Sequence, residues 1–294
     1  MIFRFKKVLK NILPYGLVKL YRFFYRQLYA KKKFKSMVGK DYQFILDKNK
    51  IFKDFHKNER CFIVGTGPSI TNQDMMLLKG ENSIFLSQFY LHDQYEYINP
   101  KYHLISGVAI HSDISYQTGL NWYKQIEEGI STDTILFINY LDRDFIIKNS
   151  LLKKHKIYYF AFQKLLQDIF NLGINASDLL YGVDGIPIMG IQIALYMGFK
   201  EIYLLGIDFS INKKTGKTHF YELDRSLIDG YGVDPKNVEE CAKYKQESYR
   251  AVAKLLDQFE IIDRYAKSID CKIKNATNYS ELSVFERVKF ENLF

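Results

Sequence analysis

The stretch CFIVGTGPSI, residues 61–70, is an apolar run that ends abruptly in two glycines and a proline. Such a run, followed by Gly65, Gly67 and Pro68, is typical of a buried strand that turns sharply into the next element. Small residues in a turn let the backbone come close to another group, which in α/β proteins is often a phosphate. The stretch therefore predicts a turn that binds an anionic ligand, with a plain tight turn as the alternative.

The chain beyond this stretch alternates short apolar runs with helical patterns. The predicted strands are 61–65, 83–87, 102–106, 134–138, 157–160, 201–206 and 271–274. The predicted helices are 72–79, 116–127, 162–171, 186–198 and 241–268. This alternation predicts the α/β class: a Rossmann-like, doubly wound, mostly parallel sheet with helices on both faces and a helical C-terminal part.

The positive charge of the chain is confined to its first residues. Residues 1–40 hold 12 of the 42 Lys and Arg and no Asp or Glu, which leaves 30 basic against 33 acidic residues in the rest. A body with this balance lacks the basic face that nucleic-acid binding requires. We predict a basic amphipathic segment over 1–40, a connector over 41–59 and a catalytic domain over 60–294, which includes a lid loop over 210–240.

The basic segment has the pattern of a helix that lies on a membrane. Residues 15–30, YGLVKLYRFFYRQLYA, place Lys19, Arg22 and Arg26 at helical spacing among leucines and aromatic residues. We expect residues 1–38 to bind an anionic membrane surface, with a helix packed on the body or on a partner as the alternative. The uncharged runs are too short for a transmembrane span.

The expected compartment is the cytoplasm, with the chain peripheral on the inner face of the cytoplasmic membrane. Three widely spaced cysteines match neither a disulfide framework nor a metal site, and no stretch has the pattern of a signal peptide. The sequence leaves a homo-oligomer open.

A second group of polar residues follows the strand 201–206. The segment GIDFSINKKTGKTHFYELD, residues 206–224, places Asp208 at the end of the strand and Lys217, His219 and Tyr221 in a glycine-containing loop. A long polar loop of this kind is typical of an active-site lid. His219 could be a base or a phosphate ligand, and Lys217 could offset phosphate charge, unless the loop is simply solvated.

Other polar residues end the neighbouring predicted strands. Ser87 and Gln88 end the second strand, and Ser106 and Gly107 end the third, at the edge where Gly65 lies. His111 and Asp113 are alternative bases. We expect His103 to be buried and His56, His92 and His155 to lie at the surface. No pair of carboxylates at a strand end demands a divalent metal, so we predict no metal and no cofactor beyond the donor substrate.

Three segments resemble a known family. CFIVGTGPSI, IFLSQFYLHDQY and IALYMGFKEIYLLGIDFS occur in the order and spacing of the bacterial sialyltransferases of glycosyltransferase family 42. The resemblance covers roughly residues 60–212 and extends to proteins with a 6-hydroxymethylpterin pyrophosphokinase (MptE-like) domain, including the motility accessory factors. It implies a Rossmann-like fold and inverting, metal-independent transfer of sialic acid from CMP-sialic acid, with a histidine base and tyrosines that assist the phosphate leaving group.

The resemblance assigns roles to residues of this chain and also shows departures. By the resemblance, His219 would be the base and Tyr221 would stabilise the departing phosphate. The loop residues themselves suggest Lys217 as a second group that stabilises this phosphate. Thr66 and Ser87 stand where the family has asparagines, and Ser210 stands where it has a tyrosine. The predicted donor-binding residues are Gly65, Thr66, Gly67, Pro68, Ser69, Ser87, Gln88, Ser106, Gly107, Asp208 and Ser210.

Three functions remain open on the sequence. The first is a membrane-peripheral glycosyltransferase that moves a sugar, such as sialic acid or a related acid, from a CMP-linked donor to a surface glycan or lipid-linked acceptor. The second is a magnesium-dependent pyrophosphokinase or phosphoryl transferase that uses Asp208 and Asp184 as metal ligands. The third is a non-catalytic module recruited to a membrane.

Overall fold

The computed structural model describes residues 15–107, 115–209, 219–221 and 238–294. Its centre is an eight-stranded sheet with the strand order β10-β9-β8-β1-β2-β3-β4-β5, and every pairing is parallel. A separate two-stranded parallel sheet pairs β6 with β7. The strands are β1 (Arg60–Val64), β2 (Ser83–Leu86), β3 (Tyr102–Ile105), β4 (Ile135–Asn139), β5 (Lys156–Phe160), β6 (Phe162–Leu165), β7 (Leu180–Gly182), β8 (Glu201–Leu205), β9 (Lys272–Asn275) and β10 (Glu286–Arg287).

Among the described residues, helices cover both faces of the large sheet. They are α1 (Tyr15–Val38), α2 (Tyr42–Leu46), α3 (Tyr95–Ile98), α4 (Tyr116–Gly129), α5 (Arg143–Lys148), α6 (Ile169–Leu172), α7 (Ile186–Tyr196) and α8 (Val238–Ser268). Alternate residues of β1 point to opposite faces, so Ile63 joins one core cluster while Phe62 and Val64 join the other. The predicted α/β class with a parallel sheet and two covered faces is therefore confirmed.

All seven predicted strands are present within one or two residues of their predicted ends. Two predicted helices are wrong. Residues 72–79 form parts of two 3₁₀ turns, Pro68–Asn72 and Met75–Leu78, and residues 162–171 begin as strand β6 before the short helix α6. Phe162 pairs with Leu180 of β7, and this pairing decides the structure of a segment whose apolar spacing also suits a helix.

Helix α1 packs on the body through one side only. Phe34 is fully buried beside Tyr42 and Tyr140, and the Arg26 guanidinium forms a 2.7 Å ion pair with the buried Asp168. Gln27 also donates to Asp168. The opposite side of α1 leaves seven large apolar side chains at least 46% exposed: Leu17, Leu20, Tyr21, Phe24, Tyr25, Leu28 and Tyr29. No helix among the described ranges is long and apolar enough to cross a bilayer.

Candidate active site at the carboxyl edge of the sheet

The sheet changes direction between β1 and β8. From β1 the chain builds the sheet outward through β2 to β5, then returns to place β8 on the other side of β1. The loops after β1 and β8 therefore meet at the carboxyl ends of these two adjacent strands, the switch point at which an open α/β sheet has its crevice. In open α/β sheets this crevice is the usual ligand site.

The glycines after β1 are required by contacts within the protein. The Gly65 amide donates to the Leu205 carbonyl at 2.7 Å, and the Gly67 amide donates to the Gly206 carbonyl at 2.8 Å. A Cβ atom on Gly67 would lie 2.6 Å from the Asp208 carboxylate, and one on Gly206 would lie 2.5 Å from the Gly65 carbonyl. The glycines thus allow the backbone of the loop after β1 to pack closely against the loop after β8. Contact of residues 65–69 with the donor stays a prediction.

Asp208 fixes the turn that follows the glycines. The Ser69 amide donates to its Oδ2 at 2.8 Å, and the Ser69 hydroxyl donates to Oδ1. Burial raises the pKa of Asp208, and the two hydrogen bonds from Ser69 oppose that rise. Pro68 begins the 3₁₀ turn at its first position, where a missing amide costs nothing. Asp208 therefore caps this turn, while its predicted contact with the donor stays a prediction.

Residues 219–221 lie against this turn. The Phe220 amide donates to the Thr66 carbonyl at 3.0 Å, and His219 Nδ1 lies 2.9 Å from Thr66 Oγ1. The Phe220 ring packs edge-on against Phe89, with 5.5 Å between ring centroids. A segment more than 150 residues away in sequence is thus fixed over the glycine turn.

His219 and Tyr221 form one unit. Their rings stack with centroids 5.1 Å apart and planes 11° apart, and the Tyr221 hydroxyl donates to Gln88 Oε1 at 3.0 Å. Burial lowers the pKa of His219 below its usual 6.5, and burial raises the pKa of Tyr221 to about 12. Near neutral pH the site therefore presents an uncharged imidazole and a protonated phenol.

The 3₁₀ turn Ser87–Leu91 contains Gln88, and a buried histidine of β3 contacts the backbone of this turn. Ser87 has φ +52°, a left-handed conformation uncommon for serine. His103 is fully buried on β3, with Nε2 2.7 Å from the Ser87 carbonyl and Nδ1 2.8 Å from the Tyr95 hydroxyl. The predicted burial of His103 is confirmed, whereas the predicted surface position of His56 is wrong, since it is 4% exposed and bonded to Tyr102.

Other predicted residues lie outside the group around His219. Ser106 and Gly107 directly follow β3 at the same edge of the sheet, and Asn139 of β4 donates to the Ser106 carbonyl at 2.8 Å. Asn139 was not singled out from the sequence, although it also ends a strand. Lys217, Ser210, His111 and Asp113 lie outside the described residues.

The described acidic residues form no metal centre. Asp184 accepts from Lys254 and Gln258 of α8, whereas Asp208 accepts from Ser69. No group of three or more His, Cys, Asp or Glu within the described ranges could hold a metal ion. The two carboxylates proposed for a phosphoryl transferase thus have separate partners.

A cavity of about 860 Å³ lies beside the turn Ser87–Leu91. Asp93, Glu96 and Glu128 contribute carboxylates, and its described lining contains no Lys or Arg. An anionic nucleotide would be repelled there.

Among known proteins, this chain is similar only to solved structures in the comparisons made by family model, by sequence and by structure. No family model matches the chain, and no curated protein matches it. The sialyltransferase CstII from Campylobacter jejuni, in complex with cytidine-5'-monophosphate, aligns with TM-score 0.45 and 16% identity over 79% of this chain and 85% of its own. The Maf glycosyltransferase from Magnetospirillum magneticum AMB-1 aligns with TM-score 0.46 and 14% identity over 87% of this chain and 40% of its own. Similarity at this level does not establish a family for this chain.

Proposed function

We propose that the chain is a glycosyltransferase that moves a sugar from a nucleotide-activated donor, CMP-linked, to an acceptor hydroxyl. The observation that carries the proposal is the unit formed by Thr66, His219 and Tyr221 at the crevice between β1 and β8. It combines a neutral base and a phenol donor with the glycine turn, at the place where open α/β sheets bind nucleotides. The resemblance of residues 60–212 to family 42 sialyltransferases supports the same chemistry, with sialic acid or a related acid as the sugar.

His219 would take the proton of the acceptor. If His219 Nδ1–H donates to Thr66 Oγ1, the lone pair lies on Nε2, and Thr66 fixes the direction of the ring. The acceptor oxygen attacks the anomeric carbon while its proton passes to Nε2. The bond from that carbon to the phosphate oxygen breaks, and the nucleotide leaves with the electron pair. A single displacement of this kind inverts the anomeric configuration.

Tyr221 would assist the leaving nucleotide. Its phenol stays protonated because burial raises its pKa to about 12, so it can donate a hydrogen bond to the developing phosphate charge. In this structure the Tyr221 hydroxyl donates instead to Gln88 Oε1, and this bond holds the ring in place. Lys217, outside the described residues, is proposed to offset the phosphate charge, and no step requires a metal ion.

The nucleotide is tested by thermal shift across CMP, UMP, GMP, AMP and ATP, each with Mg²⁺ or with EDTA. We expect CMP to stabilise the protein in EDTA, by roughly 2.7 kcal/mol at a hundred times its Kd. Stabilisation by AMP or ATP only in Mg²⁺ would favour the phosphoryl transferase instead. No stabilisation by any nucleotide would favour the non-catalytic module.

We also propose that α1 holds the enzyme on an anionic membrane, on the cytoplasmic face, where a lipid-linked or surface-glycan acceptor is made. The exposed residues of α1 recur at spacings of three and four, from Leu17 to Tyr29, and so form one apolar stripe. Residues 1–40 supply 12 positive charges and no negative charge to attract anionic lipid. The ion pair of Arg26 with Asp168 and the burial of Phe34 join this helix to the body, so the helix has a structural contact as well.

A further inference from the structure

The turn that presents Gln88 has an unusual backbone. Ser87 adopts φ +52°, a region that residues other than glycine rarely occupy without support from neighbouring groups. Gln88, the next residue, accepts the hydrogen bond from Tyr221. The direction in which the Gln88 side chain points therefore depends on keeping Ser87 in this conformation.

His103 supplies the support. A carbonyl oxygen can only accept, so the 2.7 Å contact with Ser87 places the imidazole proton on Nε2. Nδ1 then carries the lone pair and accepts from the Tyr95 hydroxyl at 2.8 Å. Complete burial lowers the pKa of His103 to about 4, which keeps the ring neutral and this tautomer in place.

The contacts continue from Ser87 to the reacting groups. Gln88 fixes the Tyr221 hydroxyl, Tyr221 stacks on His219, and His219 meets Thr66 of the glycine turn. His103 touches none of these groups directly, because it is fully buried on β3 and contacts the backbone of the turn Ser87–Leu91.

We propose that His103 is a positioning residue that, through the Ser87 carbonyl, fixes Gln88 and thereby holds residues 219–221 over the glycine turn. The effect on turnover rests on the proposed glycosyl transfer, whereas the effect on residues 219–221 does not. The two can therefore be measured separately.

The test compares His103→Leu with His103→Gln. Leucine removes the donor to the Ser87 carbonyl, whereas the Gln amide can replace it. Hydrogen exchange of peptides that contain residues 219–221 is the direct readout, because the Phe220 amide is protected by the Thr66 carbonyl. We expect exchange at least tenfold faster in His103→Leu and close to wild type in His103→Gln. We also expect kcat to fall at least tenfold in His103→Leu, with KM for the donor changing less than threefold.

His155→Leu is the matched control. His155 Nε2 also contacts a backbone carbonyl, that of Ile130 at 2.9 Å, so its loss removes the same kind of bond elsewhere. If both leucine variants change exchange at 219–221 equally, His103 is only structural and the proposal is wrong. If His103→Leu fails to fold, Gln88→Leu replaces it, since it removes the acceptor of the Tyr221 hydroxyl outside the core, and unchanged exchange at 219–221 would overturn the proposal. If the wild type shows no turnover, the exchange result still decides the positioning role.

Discussion

Gly67→Ala tests whether the glycine turn is built around the loop after β8. The backbone of Gly67 has φ −63° and ψ 153°, which alanine adopts without strain, so any cost must come from the added methyl group. That methyl would lie 2.6 Å from the Asp208 carboxylate and 2.7 Å from the Gly206 carbonyl. Asp208 cannot move away without weakening its two hydrogen bonds to Ser69.

The magnitude follows from these contacts. Overpacking costs about 1–3 kcal/mol, and each hydrogen bond to a charged group contributes about 1.5–3 kcal/mol. If the turn gives up one of the two bonds and keeps the overpacking, the free energy of unfolding falls by about 2.5–6 kcal/mol. Urea unfolding followed by circular dichroism measures this change.

Gly190→Ala is the matched control, since Gly190 is also buried and lies inside helix α7. A Cβ there would meet Ile63 and Leu86 at 3.4 Å, an ordinary contact. We expect Gly190→Ala to stay within about 1 kcal/mol of wild type, helped by the helix preference of alanine. A cost below about 1 kcal/mol for Gly67→Ala would refute the packing of the two loops described here.

Three further predictions concern other parts of the molecule. Tyr221→Phe should lower kcat about 10–100-fold while leaving CMP affinity within threefold, because only the hydrogen bond to the leaving phosphate is lost; equal loss of CMP affinity would make Tyr221 a ligand of the bound nucleotide. As the pH falls from about 6.5 to about 4, the free energy of unfolding should decrease by roughly 3 kcal/mol more in the wild type than in His103→Gln. The reason is that the pKa of His103 is about 4 in the folded protein, so between these pH values the unfolded chain takes up a proton that the folded protein does not. Parallel curves of stability against pH would contradict this. Phe24→Ser with Leu28→Ser should weaken binding to anionic vesicles at least tenfold, because less apolar surface is buried in the membrane. Phe44→Ser, on α2 and more exposed than either residue, should not weaken it. Wild-type protein that does not bind anionic vesicles would refute the membrane proposal.

The large sheet could be predicted because most of its strands are short apolar runs that are bounded by polar or glycine residues. β1 and β8 are buried on both faces, which makes their sequences almost continuously apolar. The same reasoning failed at residues 162–171, where Phe162, Leu165, Leu166 and Ile169 have helical spacing but β7 is available as a pairing partner. Local periodicity cannot reveal a partner that arrives later in the chain.

The candidate site could be predicted in part for a similar reason. Gly65 and Gly67 indicate that another group packs closely against this turn, but the sequence does not show that this group is the loop with Gly206 and Asp208. The pairing of Gln88 with Tyr221 spans 133 positions, and no local pattern encodes it. Helix α1 was recognised from its charge and spacing, while its attachment through Phe34 depends on residues far along the chain.

Transfer from a CMP-linked donor is the central claim, and single-turnover release of CMP from CMP-linked sialic acid in EDTA measures it most directly. We expect the wild type and His155→Ala to release CMP at the same rate, and His219→Ala to be about 10²–10⁴-fold slower with CMP affinity nearly unchanged. Because burial lowers the pKa of His219 below its usual 6.5, the wild-type rate should decrease only when the pH drops below that lowered pKa. This acidic limb of the pH–rate profile should be absent in His219→Ala. Equal rates in wild type and His219→Ala, or release that requires Mg²⁺, would contradict the proposed site and its mechanism.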